Sequence, residues 1–415
     1  MKKIFPTRKK GISFLSKKWI LAICLVSIAG NTPATQPPKS GKAYVVSNAH
    51  MDTQWLWTVQ TSIIDYIPRT IYQNLALIRD YPNYIFNFEG AIKYNWMKEY
   101  YPLDYEKVKE AIKNGRWHVS GSSWDANDVN VPSPESSFRN ILLGQEFYKK
   151  EFGLKSTDIF LPDCFGFGYT LPSIAKHCGL IGFSTQKLGW RKKPFYGDSK
   201  IPFTIGRWKG IDGAELICAL DCGSYVHNFK DDDLTKDNDL IQRVERDPMR
   251  TAYRYFGAGD RGGSAMPVSA MAIEKAQVSG DGPIEIVCAS SDQLYKDYLH
   301  SGKVKELPVF DGELLMDVHA SGCYTSQSAM KRFNRRNEQL ADAAERASVM
   351  AEWLGALPYQ SKTLTESWQR FIWHQFHDDL TGTSIREAYP FSWNDEILSQ
   401  TQFMQVMNTA SGAVI

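Results

Sequence analysis

Short β-type runs alternate with helical patterns along most of this chain, and this alternation constrains the fold more than any other feature. The runs are rich in β-branched and aromatic residues and lie at residues 43–48, 84–88, 117–120, 158–161, 180–184 and 284–288. Strands that alternate with helices are typical of parallel sheets whose strands are joined by crossover helices. The sequence therefore predicts an α/β fold.

One crossover helix has a well-marked beginning. Ser133 is suited to cap its N-terminus and Pro134 to occupy its first turn. Phe138, Ile141 and Leu142 then follow at helical spacing. These residues predict a helix that starts at about residue 134.

Two regions depart from the alternation. Residues 196–227 have the pattern of hairpins, which predicts an insertion. Beyond about residue 326, apolar residues keep a spacing of three to four without intervening strands, so a helical region is predicted there. Pro390 is expected to interrupt this region before a last helix opened by Ser392.

The first thirty residues contain seven Lys and Arg and no acid, and they end in an apolar stretch from Trp19 to Gly30. That stretch is shorter than the about 20 residues of a membrane span. Residues 1–30 are therefore predicted to be a cleavable export signal, with an uncleaved anchor as the alternative. Residues 31–42, rich in Pro, Thr and Ser, read as a linker. We expect an exported protein, periplasmic or extracellular, that has no membrane contact after cleavage.

The net charge of +2 misrepresents the mature protein, because the basic first thirty residues account for it. From residue 31 onward the formal charge is net negative. A chain of this charge lacks the basic surface that nucleic-acid binding requires. Nucleic acid is therefore excluded as a partner.

Six cysteines follow residue 30, and no Cys-x-x-Cys motif occurs among them. Their even number permits disulfides, but a chain with 43% apolar residues can bury a core without them. We expect most of them to be packed thiols.

His50 and Asp52 stand directly after the first predicted strand. In parallel α/β folds the functional site lies at the carboxyl ends of the strands, so an imidazole and a carboxylate here can face one ligand. A His and an Asp that merely cap a loop are the alternative. Trp55 is either a core residue or a platform for a sugar ring.

Asp163 follows the predicted strand at 158–161, and His377 and Asp378 lie in the segment 374–383, where they are expected to share a helix face. Taken singly, Asp163 fits a turn cap and the His–Asp pair fits ordinary packing. Taken together, these histidines and aspartates form a nitrogen and oxygen site suited to a divalent metal such as zinc.

Residues 256–262 match the Gly-x-Gly-x-x-Gly pattern, but the residues before them read as helix-like rather than as a strand. A dinucleotide site is therefore not expected. Asp260 would lie on a flexible loop suited to proton donation, and an ordinary turn is the alternative.

Several motifs together, in this order along the chain, resemble the glycoside hydrolase family 38 α-mannosidases. The motifs are His50-x-Asp52-x-x-Trp55, Asp163-Cys-Phe165, Thr185-Gln-Lys-Leu-Gly-Trp190, Phe256-Gly-Ala-Gly-Asp260, Gly322-Cys-Tyr-Thr-Ser326 and Gln375-Phe-His-Asp-Asp-Leu-Thr-Gly-Thr383. The resemblance covers roughly residues 43–400. It implies a seven-stranded β/α barrel at 43–310, followed by a three-helix bundle at 311–415.

The resemblance also implies the roles of the site residues. A zinc ion would be held by His50, Asp52, Asp163 and His377. Asp163 would also be the nucleophile and Asp260 the general acid/base of a retaining glycosidase that acts on terminal α-mannosides of glycans. The substrate contacts would be Trp55, Phe165, Asp378 and Lys187, of which Lys187 would also help keep Asp163 ionised.

Two other functions stay open at this point. A metal-dependent polysaccharide deacetylase also uses Asp and His at strand ends, but it would not need Asp260. Family members continue into large C-terminal β-sandwich domains, whereas this chain ends at Ile415. A truncated mannose-binding remnant without turnover is therefore the second alternative. The sequence also leaves homo-oligomerisation open.

Overall fold

The computed structural model describes residues 39–190, 201–316 and 319–415. The predicted export signal at 1–30 and most of the predicted linker at 31–42 lie outside these residues. Within the part of the chain that the structure describes, no helix combines the length and the apolar character needed to cross a membrane.

The strands follow the chain in twelve short segments among the described residues. They are β1 (Gly41–Ala49), β2 (Phe86–Glu89), β3 (Trp117–Ser120), β4 (Asp158–Phe160), β5 (Gly166–Phe167), β6 (Gly182–Ser184), β7 (Ile205–Lys209), β8 (Glu215–Ala219), β9 (Thr251–Ala258), β10 (Ile284–Cys288), β11 (Val309–Asp311) and β12 (Leu314–Leu315).

The α-helices connect these strands and then continue alone. They are α1 (Val59–Thr61), α2 (Ile67–Asp80), α3 (Ala91–Tyr100), α4 (Pro102–Lys113), α5 (Pro134–Phe152), α6 (Leu171–His177), α7 (Asn238–Arg246), α8 (Pro267–Ser279), α9 (Gln293–Ser301), α10 (Ser328–Trp353), α11 (Ser361–Trp373) and α12 (Tyr389–Val414). A π-helical turn joins α1 to α2, and a 3₁₀ turn, Lys187–Gly189, follows β6.

The strands form two larger sheets and one small one. In the first sheet, β9 pairs with one side of β1, while β10 and β2 pair with different parts of its other side. Strand β3 pairs with β2. All of these pairs are parallel. The second sheet has the order β11-β7-β8-β6-β4, in which only β7 and β8 are antiparallel. The predicted α/β class is confirmed. No ladder among the described residues joins the two sheets, so the seven-stranded barrel stays a prediction.

An aromatic cluster fixes the carboxyl end of β2. The ring of Phe86 packs edge-on against Trp117 at a centroid distance of 4.6 Å, and Phe88 packs against Tyr94 of α3 at 5.6 Å. The indole of Trp117 donates a hydrogen bond to the Tyr94 hydroxyl at 2.9 Å. Large aromatic side chains contribute most to such cores, so this cluster rigidly holds the strand that ends at Glu89.

The expectation of a helix-like stretch before Gly257 was wrong, because those residues form β9. This strand pairs with β1 along its whole length, and every residue from Thr251 to Gly257 is buried. A parallel strand buried on both faces has no alternation of apolar and polar residues, which is why the pattern concealed it. The next helix begins only at Pro267, so the glycines do not open a helix as a dinucleotide site requires.

Helix α5 begins as predicted. The Ser133 hydroxyl accepts a hydrogen bond from the backbone N–H of Ser136, and Pro134 occupies the first turn. Of the residues predicted at helical spacing, Ile141 is buried but Leu142 is exposed, and its neighbour Leu143 is buried.

Three helices follow the α/β region and pack on one another. Trp368 of α11 packs against Phe403 of α12 at a ring distance of 5.8 Å, and it donates a hydrogen bond to Glu345 of α10. Pro390 lies in the first turn of α12, so this helix begins before Ser392 rather than at it. The described residues form one compact unit, and the predicted domain boundary near residue 310 stays a prediction.

The six cysteines beyond residue 30 are all free thiols. Five are buried and Cys178 is half-buried. The expectation of packed thiols is confirmed.

Candidate active site

Two imidazoles face each other at the carboxyl end of β1. The rings of His50 and His377 stack with centroids 5.4 Å apart. Nδ1 of His50 lies 3.0 Å from Glu89 Oε1, and Nδ1 of His377 lies 2.8 Å from the carbonyl oxygen of Ala126. When such a ring is neutral, its Nδ1 donates the proton in this bond and its Nε2 is left with a free lone pair.

Carboxylates converge on these two Nε2 atoms. Asp52 Oδ1 lies 3.0 Å from Nε2 of His50 and 3.5 Å from Nε2 of His377. Asp163 Oδ2 and Asp378 Oδ2 lie 3.8 Å and 3.6 Å from Nε2 of His377. The structure thus brings the four predicted metal residues together, and it adds Asp378 beside them.

The same atoms leave hydrogen-bonding capacity unused. Nε2 of His50, Nε2 of His377 and Oδ1 of Asp52 are buried, and none has a hydrogen-bond partner in the described part of the chain. Burying polar atoms without partners costs free energy, so such a cluster requires a further group. Two imidazole nitrogens with carboxylate oxygens are the donor set that a divalent cation such as zinc accepts.

The local electrostatics favour positive charge at this point. Burial lowers the pKa of His50, but the charges of Asp52 and Glu89 outweigh it and raise this pKa to about 10. Burial raises the pKa of Glu89, yet Lys93 and His50 bring it down to about 2. The surplus of carboxylates therefore favours a bound cation here.

The helical face predicted for His377 and Asp378 was wrong. Helix α11 ends at Trp373, and residues 374–383 form successive turns in which the backbone N–H groups of Thr383 and Ser384 bond to the carbonyl oxygen of Asp378. The turns serve the same end, because they direct both side chains into the cluster.

Asp163 has two chemically different sides. Its Oδ1 accepts hydrogen bonds from Lys187 Nζ at 2.7 Å and from the Tyr225 hydroxyl at 3.4 Å. Its Oδ2 faces Nε2 of His377. Lys187 and Tyr225 therefore position one oxygen of the carboxylate, while the other faces the metal residues.

Asp260 lies beside Asp163 and is held firmly. Its Oδ1 accepts a hydrogen bond of 2.6 Å from Tyr225, and its backbone has a φ of 61°. The loop that carries Asp260 is hydrogen-bonded to the residues after β1, since Asp52 N donates to the Asp260 carbonyl at 2.8 Å. Burial raises the pKa of the Asp260 carboxyl, although the Tyr225 hydrogen bond opposes this.

The other three predicted sugar contacts differ in their placement. Phe165 packs edge-on against His377 at 5.8 Å, and Asp378 accepts a hydrogen bond from Thr383, so both border the cluster. Trp55 is half-buried, and its carbonyl oxygen accepts a hydrogen bond from Ile385. The structure leaves both interpretations of Trp55, core residue and sugar platform, in place.

Sequence reasoning missed two residues of the site. Glu89 ends β2, and its signal was available: a carboxylate at the end of a predicted strand, with Lys93 one helical turn further on. Tyr225 lies six residues beyond β8, and no spacing in the sequence marks it.

Comparison with known proteins shows the family to which this chain belongs. Residues 40–313 match the glycosyl hydrolases family 38 N-terminal domain, and residues 319–410 match the α-mannosidase middle domain. The crystal structure of an α-mannosidase from Enterococcus faecalis V583 superposes with a TM-score of 0.76 at 19% identity, covering 90% of this chain and 43% of that chain. That likeness concerns the fold.

Two curated relatives are similar over most of this chain. Alpha-mannosidase G of Dictyostelium discoideum is 32% identical over 352 residues, which cover 84% of this chain and 31% of that protein. An alpha-mannosidase of Saccharomyces cerevisiae is 29% identical over 366 residues, which cover 84% of this chain and 32% of that protein. The chain thus spans about a third of the length of these relatives. Because its match to the N-terminal domain of this family extends over residues 40–313, the chain belongs to glycosyl hydrolase family 38.

Proposed function

We propose that this chain is the catalytic region of a retaining, zinc-dependent α-mannosidase that hydrolyses terminal α-mannosides of glycans. The observation that carries this proposal is the meeting of Asp163 and Asp260 at Tyr225, beside the two free imidazole nitrogens. The substrate class comes from the names of the relatives, which are α-mannosidases.

The separation of the two carboxylates supports retention of anomeric configuration. The Tyr225 hydroxyl is 3.4 Å from Asp163 Oδ1 and 2.6 Å from Asp260 Oδ1. These two oxygens can be no further apart than those distances combined. One hydroxyl can bridge two carboxylates only when they are close, which favours the roughly 5–5.5 Å spacing of the carboxyl groups in retaining glycosidases over the roughly 6.5–9.5 Å of inverting ones.

The residues then have distinct tasks in a double displacement. Asp163 attacks the anomeric carbon while Asp260 gives its proton to the departing glycosidic oxygen, so one C–O bond forms as another breaks. In the second step Asp260 takes a proton from water, and that water releases mannose from Asp163. Lys187 and Tyr225 hold the Asp163 carboxylate in place throughout.

His50, Asp52, Asp163 and His377 would hold the zinc ion. When bound, zinc supplies a Lewis acid that binds the hydroxyl groups of the sugar. Glu89 and the carbonyl oxygen of Ala126 orient the two imidazoles through their Nδ1 atoms. Glu89 is fixed by the fold because it ends β2.

Asp260 also separates this proposal from a metal-dependent deacetylase. A deacetylase needs the metal residues but no second carboxylate next to Asp163. A second carboxyl group beside Asp163, such as that of Asp260, is what a glycosidase requires. A remnant that only binds mannose would keep the pocket but show no turnover.

The test combines turnover with metal content. The purified protein should hydrolyse 4-nitrophenyl α-mannoside, carry about one zinc per chain and release no acetate from an acetylated glycan. Asp163→Asn should abolish turnover, whereas Asp281→Asn, at an exposed aspartate, should not. His377→Ala should lose the zinc. A metal-free wild-type protein that ignores chelators, or β-mannose as the first product by NMR, would overturn the proposal.

We also propose that the mature protein begins near residue 31 and is exported, to a periplasm or beyond. The basic and apolar character of residues 1–30 supports this. Mass spectrometry of the N-terminus after expression in the native host tests it. An intact Met1 in the soluble cytoplasmic fraction would contradict it.

A further inference from the structure

Trp190 presents an exposed aromatic surface close to a buried reactive carboxylate. Its side chain is 45% exposed, although large aromatic residues are usually buried. Lys187 Nζ lies 4.3 Å from the Trp190 ring centroid and 2.7 Å from Asp163 Oδ1. The distance between the indole centroid and Asp163 Oδ1 is therefore at most the sum of these two distances, a span comparable to one hexose unit.

The local backbone fixes the direction of this indole. Lys187 begins the 3₁₀ turn after β6, and the N–H of Trp190 donates to the Lys187 carbonyl at 3.0 Å. Residues three apart in such a turn lie one above the other, which places the ammonium against the indole. The indole Nε1 donates to Gln186 Oε1 at 3.0 Å, so the ring is held before any ligand binds.

The two oxygens of Asp163 show on which side of the reacting sugar Trp190 lies. Oδ2 faces His377 and the metal residues, where the mannose hydroxyls would bind. Oδ1 accepts hydrogen bonds from Tyr225 and from Lys187. Tyr225 also contacts Asp260, and Lys187 also contacts the ring of Trp190. The proton donor marks the leaving-group side, and Trp190 is connected to the same oxygen.

Two aromatic rings flank Lys187 and differ in exposure. Phe165 lies 5.0 Å from Lys187 Nζ and is buried beside His377, within reach of the reacting mannose. Trp190 is on the open side, where the ring of His319 lies 5.2 Å from it. Sugar rings expose apolar C–H faces that pack on aromatic rings, so an exposed indole at this distance suits the next sugar.

We propose that Trp190 is the binding platform for the leaving sugar, the unit to which the terminal mannose is attached. The inference rests on the proposed α-mannosidase function. It makes Trp190 a residue that selects glycans over simple alkyl mannosides.

Hydrolysis of two substrates tests this proposal in the full chain. α-Mannobiose places a sugar over Trp190, whereas methyl α-mannoside places only a methyl group there. Trp190→Ala should lower kcat/KM for mannobiose about tenfold more than it lowers kcat/KM for methyl mannoside, through loss of the stacked aromatic surface. Trp190→Phe should recover part of the loss.

Trp353→Ala is the matched control, because Trp353 is an exposed tryptophan on α10. It should leave both substrates unaffected. If wild type hydrolyses both mannosides but Trp190→Ala lowers them equally, or lowers neither, the platform is wrong and the proposed function stands. If wild type hydrolyses no α-mannoside, the proposed function itself fails.

Discussion

The hydroxyl of Tyr225 donates a hydrogen bond of 2.6 Å to Asp260 and lies 3.4 Å from Asp163, so one phenol links the two carboxylates of the proposed reaction. Burial raises the pKa of the Tyr225 hydroxyl well above its usual range, and the neighbouring carboxylates add to this. The phenol therefore keeps its single proton, which it donates mainly to Asp260 at the shorter distance, with Asp163 as the longer second acceptor.

Tyr225→Phe removes this donor but keeps the ring. Without it, Asp260 loses the hydrogen bond that fixes its carboxyl relative to Asp163, and we expect kcat for mannobiose to fall about tenfold with little change in KM. Steady-state kinetics measure both quantities. Tyr72→Phe is the control, since Tyr72 is an exposed tyrosine whose hydroxyl donates to Asp104. A rise in KM with unchanged kcat would show that Tyr225 binds substrate instead.

Asp260→Ala separates substrates by their leaving groups. Ordinary mannosides need the proton from Asp260, so their kcat/KM should fall by roughly 10²–10⁴. 2,4-Dinitrophenyl α-mannoside needs little acid assistance in its first step and should lose far less. Stopped-flow release of the phenol measures this first step. Equal losses for both substrates would remove Asp260 from the acid role.

Much of the fold was predictable because short parallel strands between turns leave a local signal. Strands Trp117–Ser120 and Ile284–Cys288 were predicted to the residue. The rule that sites follow strand ends placed His50 and Asp163 at one rim. β9 was lost because its burial on both faces, which depends on β1, removes the alternation that marks a strand.

The rest of the site depends on contacts that no local pattern contains. Glu89 reaches His50 only because β2 pairs with the last residues of β1. Tyr225 reaches Asp260 because the loop that follows β8 runs alongside β9. There the backbone N–H of Tyr255 donates a hydrogen bond to the Cys222 carbonyl. Such long-range register is set by packing, not by spacing along the sequence.

Glu89→Gln tests whether Glu89, which is not itself a proposed metal ligand, orients the proposed ligand His50. The Glu89 carboxylate accepts the Nδ1 proton of His50, and outer partners of this kind typically contribute 10–100-fold to metal affinity. Competition with a chelator should show zinc affinity reduced within that range. Glu338→Gln, at a buried glutamate that bonds to Ser133, should leave zinc affinity unchanged. Unaltered affinity in Glu89→Gln would contradict this role.

A buried carboxyl in the helical region should make stability depend on pH. Glu396 lies fully inside the bundle, where it accepts a hydrogen bond from Asn337. Burial raises its pKa from 4.5 to about 8, and Asp379 and Asp395 add to this against the opposing charge of His374. Between these two values the folded protein holds a proton that the unfolded chain has lost.

The sign follows from that difference in bound protons. Stability from Glu396 is full below pH 4.5 and is lost as the pH rises toward 8, at up to about 1.4 kcal/mol per pH unit. Glu396→Gln should remove this decline from the free energy of unfolding, measured by urea titration between those pH values with metal chelated. Glu366→Gln, at an exposed position on α11, should keep the wild-type slope. A slope in Glu396→Gln equal to that of wild type would show that Glu396 is ionised in the folded protein.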